Sequence, residues 1–438
     1  MSEQATLDTV PEGFRTPEQE QAEAAAHIPP IDTLPIEGVN PMNPHLFQQA
    51  RVHQCFDRLR REDPVHLNEL ETAGRYWSVT RYEDIKTVSS DWETFSSAGG
   101  ITLGHRITPE ETYGMNQQRN SFIAKDPPLH DAQRRTVQPA LAPRHLSKLE
   151  PLIRERTIRV LEMLPDTETF DWVDAVSVEL TTIMLATLFD FPLEDRRLLT
   201  RWSDIVFAVP EPGGIVESHE QRQRELGECV EYFTRLWAER KSDPGDDLVS
   251  MLVHGGATRD MAPVEHLGNL LLLIIGGNDT TRNTMSGSVY ALNRFESQYD
   301  KLIAAPHLIP NMVSEIIRWQ TPLSYMRRTA TRDCELAGKR IRKDDQLLLW
   351  YASGNRDEAM FQDGHAVDIE RPNAGRHLSF GWGIHFCMGS RLAELQLRVL
   401  WEEILTRFER VIVQAEPERT FSTFVSGYTN LPVRVKRR

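Results

Sequence analysis

The sequence is poor in cysteine, with four residues in 438, Cys55, Cys229, Cys334 and Cys387, and no C-x-x-C pair. That spacing argues against a disulfide framework, a structural zinc site and a cysteine-ligated iron–sulfur cluster within this chain. Long apolar runs are missing too. The longest aliphatic run, 270–275, ends in Gly-Gly-Asn-Asp, far short of the ~18–20 residues that span a bilayer. The first residues, MSEQATLDTVPEGFRTPEQEQ, are acidic and polar without an apolar core, so neither a signal peptide nor an anchor is expected there. Basic charge is also in deficit, since 50 Lys and Arg against 64 Asp and Glu give a net charge of −14. Nucleic-acid binding needs basic clusters to neutralise phosphate, which this balance argues against. A soluble, cytoplasmic globular protein is expected.

What is present is an ordinary core-forming mixture, 40% hydrophobic and 26% charged. Residues 17–26 read as a surface helix, and Pro29, Pro30 and Pro35 extend the chain after it. A helical pattern at 43–61 stops before Pro64. Two strands, 65–67 and 76–79, flank a loop with Gly74, and a helix follows at 82–88. The segment 95–122, with Gly99, Gly100, Gly104 and Gly114, is long and irregular, as lids and binding loops are. Helical patterns dominate from Pro128 to about Asn355. One of them, 264–295, would be ~45 Å long at 1.5 Å per residue. Short strands are expected at 334–342, 346–349 and within 421–435. No internal repeat or low-complexity linker is visible. The fold class expected is mainly α with a minor β part: one large domain at 41–438 after an N-terminal extension at 1–40.

The most informative stretch is FGWGIHFCMG, from Phe380 to Gly389, followed by a helical pattern at 391–408. Its glycines make a tight loop that lets backbone amides approach the sulfur of Cys387, and the positive end of the next helix faces the same sulfur. Both features stabilise a thiolate. A cysteine before a helix can also be a buried small hydrophobe, but the surrounding F-G-x-G-x-H-x-C-x-G pattern speaks for a ligand.

That pattern resembles the cytochrome P-450 haem-thiolate monooxygenases. The resemblance implies that Cys387 is the axial ligand of haem b, whose electron donation favours O–O cleavage. It also implies a buried Glu-Arg-Arg network, which Glu315 and Arg318 (E-x-x-R) and Arg371 match beside the meander Asn355-Arg356-Asp357. A third match is Gly276-Gly277-Asn278-Asp279-Thr280-Thr281 in the long helix. Two glycines there cost about 1 kcal/mol each relative to alanine. The bland reading is a helix end at the glycines and a second helix capped by Asp or Thr. The resemblance instead makes room for O2 at Gly276 and assigns proton delivery to Asp279 and Thr280.

For the two haem propionates, the resemblance points to His130, Arg134, Arg328 and His385, with Phe380 against the cofactor. Arg327 beside Arg328 leaves that assignment open by one position. The whole chain from about Asn43 is covered. The strings GGNDTTRN, TPLSYMRRTA and HLSFGWGIHFCMGSRLAELQLR resemble the bacterial branch that hydroxylates terminal carbons of alkanes and fatty acids. Candidate substrate contacts are Leu272 and Ile275 on the long helix, Ile101 and Leu103 in the glycine-rich loop, Leu323, Ser324, and Phe424 and Val425 near the C-terminus. They are mostly apolar, which suits a small aliphatic substrate. With no G-x-G-x-x-G and no cysteine cluster, electrons from NAD(P)H are expected through a ferredoxin and a ferredoxin reductase, docking near Arg135, Arg391 and Arg398. A steroid or terpene hydroxylase of the same fold is the main alternative. From other classes, a non-catalytic haem-binding sensor would need the cysteine loop without the proton relay, and a cysteine hydrolase would need a His/Asn partner set.

Overall fold

The computed structural model describes residues 28–71, 73–103, 120–207 and 215–438. The helix expected at 17–26, and Gly104 and Gly114, lie outside them. Along one flank runs a mixed sheet of β1 (Val65–Leu70), β2 (Gly74–Val79), β3 (Phe95–Ser96), β4 (Met326–Ala330) and β5 (Gln346–Leu349), ordered β1-β2-β5-β4-β3. The β2–β5 pair is parallel and the others antiparallel. β4 lies in a stretch read as helical, and it lines up Arg327 with Leu348 and Arg328 with Leu347. A second hairpin, Cys334–Leu336 with Lys339–Ile341, turns through Ala337 and Gly338, both at positive φ (48° and 77°). Such two-residue turns match the twist of the flanking strands.

Helices supply the rest. Those that build the site are α1 (Leu129–Val137), α2 (Glu179–Phe189), α3 (Arg196–Phe207), α4 (Pro263–Arg294), α5 (Ile309–Gln320) and α6 (Ser390–Arg407). α4 starts with Pro263 in its first turn, where a missing N–H breaks no helical bond. It runs unbroken for 32 residues. The alternative of two helices meeting at Gly276-Gly277 is therefore not what forms. Gly277 is needed for packing instead, because a Cβ there would lie 2.8 Å from Cδ2 of Leu185 on α2. The C-terminal half of α4 joins a core with Trp172, Trp401 and Phe408, all fully buried, while its N-terminal half packs on α2 and α3.

Several boundaries differ from the sequence reading. Residues 28–40 are not a free extension: Ile31 and Val39 are buried, and Arg58 donates to the carbonyls of Ile31 and Leu34 at 2.7 and 2.6 Å. The pattern at 43–61 splits into Pro44–Gln48 and Val52–Glu62, because Ala50 turns left-handed at φ 55°. After α6 the chain continues as an unexpected strand, Phe408–Val413, paired with Pro432–Arg437. Among the described residues no helix is long and apolar enough to cross a membrane.

Candidate active site

The cysteine loop is shaped by two left-handed glycines, Gly381 and Gly383, each at φ 72°. A Cβ on Gly383 would sit 2.3 Å from the carbonyl oxygen of Ser89, so only glycine fits that approach. The Cys387 amide donates to the Phe380 carbonyl at 2.7 Å, which closes the loop. The amides of Gly389 and Ser390, at the start of α6, donate to the sulfur. Burial nevertheless pushes the thiol up, and the two amides and the Arg134 charge only oppose that. The expected thiolate stabilisation is present but does not win by itself; a cation on the sulfur would complete it.

Cys387 and α4 line one cavity, with about 1550 Å³ of atom-free space including its mouth. Close-packed interiors do not leave voids of that size. The face that α4 turns to it carries Leu272, Leu273, Gly276, Gly277, Thr280 and Thr284. Positions four apart, 272, 276, 280 and 284, stack on one side of a helix. Gly276 adds open space, since a Cβ there meets nothing within 4 Å. The Thr280 hydroxyl donates to the Gly276 carbonyl at 2.8 Å, and that of Thr284 to the Thr280 carbonyl at 2.7 Å.

Asp279 does not line the cavity. It is 4% exposed and lies behind Thr280, with Oδ1 accepting from Arg282 Nη2 at 3.0 Å and from Asn278 Nδ2 at 3.3 Å. The same Arg282 nitrogen bonds Asp204 of α3 at 3.0 Å. One guanidinium is thus shared between two carboxylates. Burial therefore outweighs Arg282, and with Asp204 adding repulsion the Asp279 carboxyl is pushed up to about 6.

Around the rim stand His130, Arg134, Arg328 and His385, and Phe380 lines the same space. Strand alternation sends the two arginines to opposite sides of β4. Met326 and Arg328 of β4 face the cavity, while Arg327 turns away to the Gly100 carbonyl and Gln346 Oε1, at 3.0 and 2.7 Å. Arg328 is 3% exposed and, among the described residues, hydrogen-bonds the Arg327 carbonyl alone, at 2.8 Å. Arg134 bonds the Phe386 carbonyl at 2.5 Å. Neither is in an ion pair among the described residues. The His130 and His385 rings pack at a tilt, 4.3 Å between centroids, with both Nε2 atoms buried and without a hydrogen-bond partner among the described residues, and burial holds both rings neutral. A buried guanidinium without a counter-ion, a half-buried one on the same rim and orphaned imidazole nitrogens call for an anion. A thiol on one face and such a rim fit a flat iron porphyrin with two carboxylates.

Of the remaining candidate contacts, Ile101, Leu272 and Leu323 line the cavity. Ile275 does not, because at about 100° per residue the lining positions of α4 share one side of the helix and Ile275 falls on the other, where it packs against the helical core. Leu103, Phe424 and Val425 are buried in a separate core beneath the sheet. Ser324 is fully buried, and its amide bonds the Phe424 carbonyl at 2.8 Å. Sequence reading missed Phe122, Met184, Leu188 and Leu248 of the lining. α2 is buried on nearly every side, so no apolar stripe separates its cavity face from its core face. Thr284 could have been found by stepping four residues from Thr280.

Beneath the cysteine loop, Arg318 grips Glu315 through two bonds of 2.7 Å, and Arg371 Nε donates to both Glu315 oxygens at 3.0 and 3.1 Å. Arg318 also bonds the Asn355 carbonyl at 2.7 Å. The Asn355 side chain then holds the Leu378 amide at 2.6 Å and Ser379 Oγ at 2.8 Å, just before the loop begins.

Residues 293–436 match the family model described as Cytochrome P450. The chain is similar to linalool 8-monooxygenase of Pseudomonas putida, 37% identical over 89% of this chain and 97% of that protein. It is similar as well to the methyl-branched lipid omega-hydroxylase of Mycobacterium bovis, 31% identical over 86% of this chain and 90% of the other. Among solved structures, cytochrome P450-153 from Novosphingobium aromaticivorans superimposes with a TM-score of 0.84 at 44% identity, covering 91% of this chain and 99% of that one.

Proposed function

The chain belongs to the cytochrome P450 family and is a haem-dependent monooxygenase, and from that premise we propose that it hydroxylates the terminal carbon of medium-chain alkanes or fatty acids. The observation that supports this reading is the wall of the cavity above Cys387. It is built from aliphatic side chains such as Ile101, Leu185, Leu188, Leu272 and Leu323. The hydroxyls of Thr181, Thr280 and Thr284 all donate to helix carbonyls, at 2.9, 2.8 and 2.7 Å. Such a pocket has few polar hooks and selects by shape and burial. One relative points the same way, the one named a methyl-branched lipid omega-hydroxylase. The linalool relative favours a second reading, a terpene substrate in the same cavity.

In this proposal Cys387 ligates the iron of haem b, Arg134, Arg328, His130 and His385 take the propionates, and Phe380 packs on the cofactor. Bound haem supplies activation of O2, so that one oxygen atom enters the C–H bond and the other leaves as water with two electrons and two protons. The chain's own part is positional and acid–base. Gly276 leaves room over the cofactor. Thr280 offers a hydroxyl at the cavity wall. Asp279, with its carboxyl up at about 6, holds a proton part of the time near neutrality. Asp204, reached through Arg282 and partly exposed, links that carboxyl to solvent. Glu315, Arg318 and Arg371 act structurally, by holding the loop. Electrons come from NAD(P)H through a ferredoxin and its reductase. Arg135 and Arg391 are exposed for such a partner, whereas Arg398 is tied to Glu150 and Glu402 at 3.0 and 3.1 Å.

The test is a titration of the ferric holoenzyme with n-alkanes, fatty acids, one monoterpene and one sterol, following the haem spin state. Each added methylene contributes about 0.8 kcal/mol of burial, so affinity should rise up to about fourfold per carbon and then level off. A spin shift with the sterol or monoterpene and none with the linear chains would overturn the aliphatic reading.

A further inference from the structure

A second recess, with about 940 Å³ of atom-free space including its mouth, lies apart from the cavity over Cys387 and shares no lining residue with it. It opens where the Ala50 bend, the C-terminal halves of α4 and α5, the meander after Asn355 and the segment 419–428 meet. Its lining carries Arg294, Arg356 and Arg419, together with His53 and His365.

Cationic charge in this recess is largely unanswered. Arg356 is 5% exposed, bonds only the Trp319 and Ala352 carbonyls at 2.7 and 3.5 Å, and is in no ion pair among the described residues. Burial and the neighbouring Arg318 and Arg60 charges hold its guanidinium down at about 9. The nearby acids are already engaged. Asp57 accepts from Arg60 at 2.5 Å and His365 at 3.0 Å, and Glu358 accepts from Arg60 at 3.1 Å. Glu315 is taken by Arg318 and Arg371. Arg419 donates to the Tyr290 hydroxyl at 3.3 Å and the Pro417 carbonyl at 3.4 Å. Among the described residues its one ion pair is with Glu416, 3.7 Å away, 75% exposed and already accepting from the Tyr290 hydroxyl at 2.9 Å. Its guanidinium lies 5.5 and 5.9 Å over the rings of Tyr290 and Tyr428, which fixes its plane. Arg294 is exposed at the mouth and donates to the Tyr290 hydroxyl at 3.3 Å. His53 Nδ1 is buried without a hydrogen-bond partner among the described residues.

A guanidinium buried without a counter-ion is costly unless an anion completes it. Planar guanidiniums pair with the oxygens of phosphate through two parallel bonds. We propose that this recess is a binding site for a phosphate group, either the free ion or a phosphate monoester. Arg356 forms its floor, Arg419 its side and Arg294 its mouth, and His53 adds a further ring nitrogen. The aromatic wall of Tyr290, Trp319 and Tyr428 gives a monoester with a flat ring a surface that the free ion does not use. The neighbouring Asp57–Glu358–His365 group is bridged by Arg60 and so is not left for a metal ion. This site is independent of the substrate assignment.

The test measures thermal unfolding of the haem-loaded protein with inorganic phosphate, phenyl phosphate, and sodium chloride at matched ionic strength. The expected result is a saturable rise in midpoint, about 2 °C at tenfold excess over half-saturation, with phosphate or phenyl phosphate and not with chloride. Equal half-saturation for the two assigns the free ion, and a tighter phenyl phosphate assigns a monoester. The double variant Arg294→Gln/Arg419→Gln should lose the rise while keeping its haem spectrum. If that variant folds poorly, the exposed single change Arg294→Glu should raise the half-saturation at least fivefold. A rise equal in chloride, or unchanged in the variants, overturns the proposal.

Discussion

Cys387→Ser is expected to abolish the red-shifted Soret band of the reduced carbon monoxide complex and to reduce hydroxylation to background. A serine oxygen would still receive the Gly389 and Ser390 amides, but it cannot donate electron density to iron as a thiolate does. The protein should still fold, because the loop is closed by backbone bonds and by its glycines rather than by the sulfur. The check is a difference spectrum together with a far-ultraviolet dichroism trace. A variant that kept the red-shifted band would place the ligand on another residue.

Glu315→Ala should have the largest effect on stability. Glu315 and Arg318 are fully buried, and Arg371 is 5% exposed. Removing the carboxylate leaves two guanidiniums in the interior without a counter-ion. The expected loss is about 3–5 kcal/mol, the cost of breaking a buried pair from one side. The damage should reach the cofactor, since Arg318 and Asn355 together position Leu378 and Ser379 ahead of the cysteine loop. Urea unfolding and haem content of the purified variant check this. A midpoint within 1 kcal/mol of wild type, with full haem content (a change typical of a surface ion pair), would show that the network does not hold the loop.

The parts of the site that were legible in sequence are those where backbone geometry restricts residue choice. Gly381 and Gly383 both stand at positive φ, and Gly383 abuts the Ser89 backbone, so the loop around Cys387 was visible as a pattern. The long helix was legible because its apolar run and threonines keep helical spacing over 32 residues. Side-chain direction was less so. Ile275 adjoins Gly276 in sequence yet faces the core, and only the four-residue step from Thr280 identifies the true face. β4 went unseen because neither face of that strand is solvent. Arg327 and Arg328 are both buried, so the alternation of apolar and polar residues that marks a strand is absent. Phe424 and Val425 look like pocket residues by composition but support the wall from behind, Val425 bridging to Leu323. Long-range packing decides such cases, and one sequence does not contain it.

The proposed reaction is tested most directly by where the oxygen lands. A ladder of n-alkanes and fatty acids, with one monoterpene and one sterol, would be turned over by the holoenzyme with a ferredoxin and reductase, and products identified by mass spectrometry. An aliphatic cavity ending over Cys387 should present a chain end, giving hydroxylation at the terminal carbon although its C–H bond is the stronger one. Oxidation scattered along mid-chain carbons, or turnover of the sterol or monoterpene in preference to every linear chain, would contradict it.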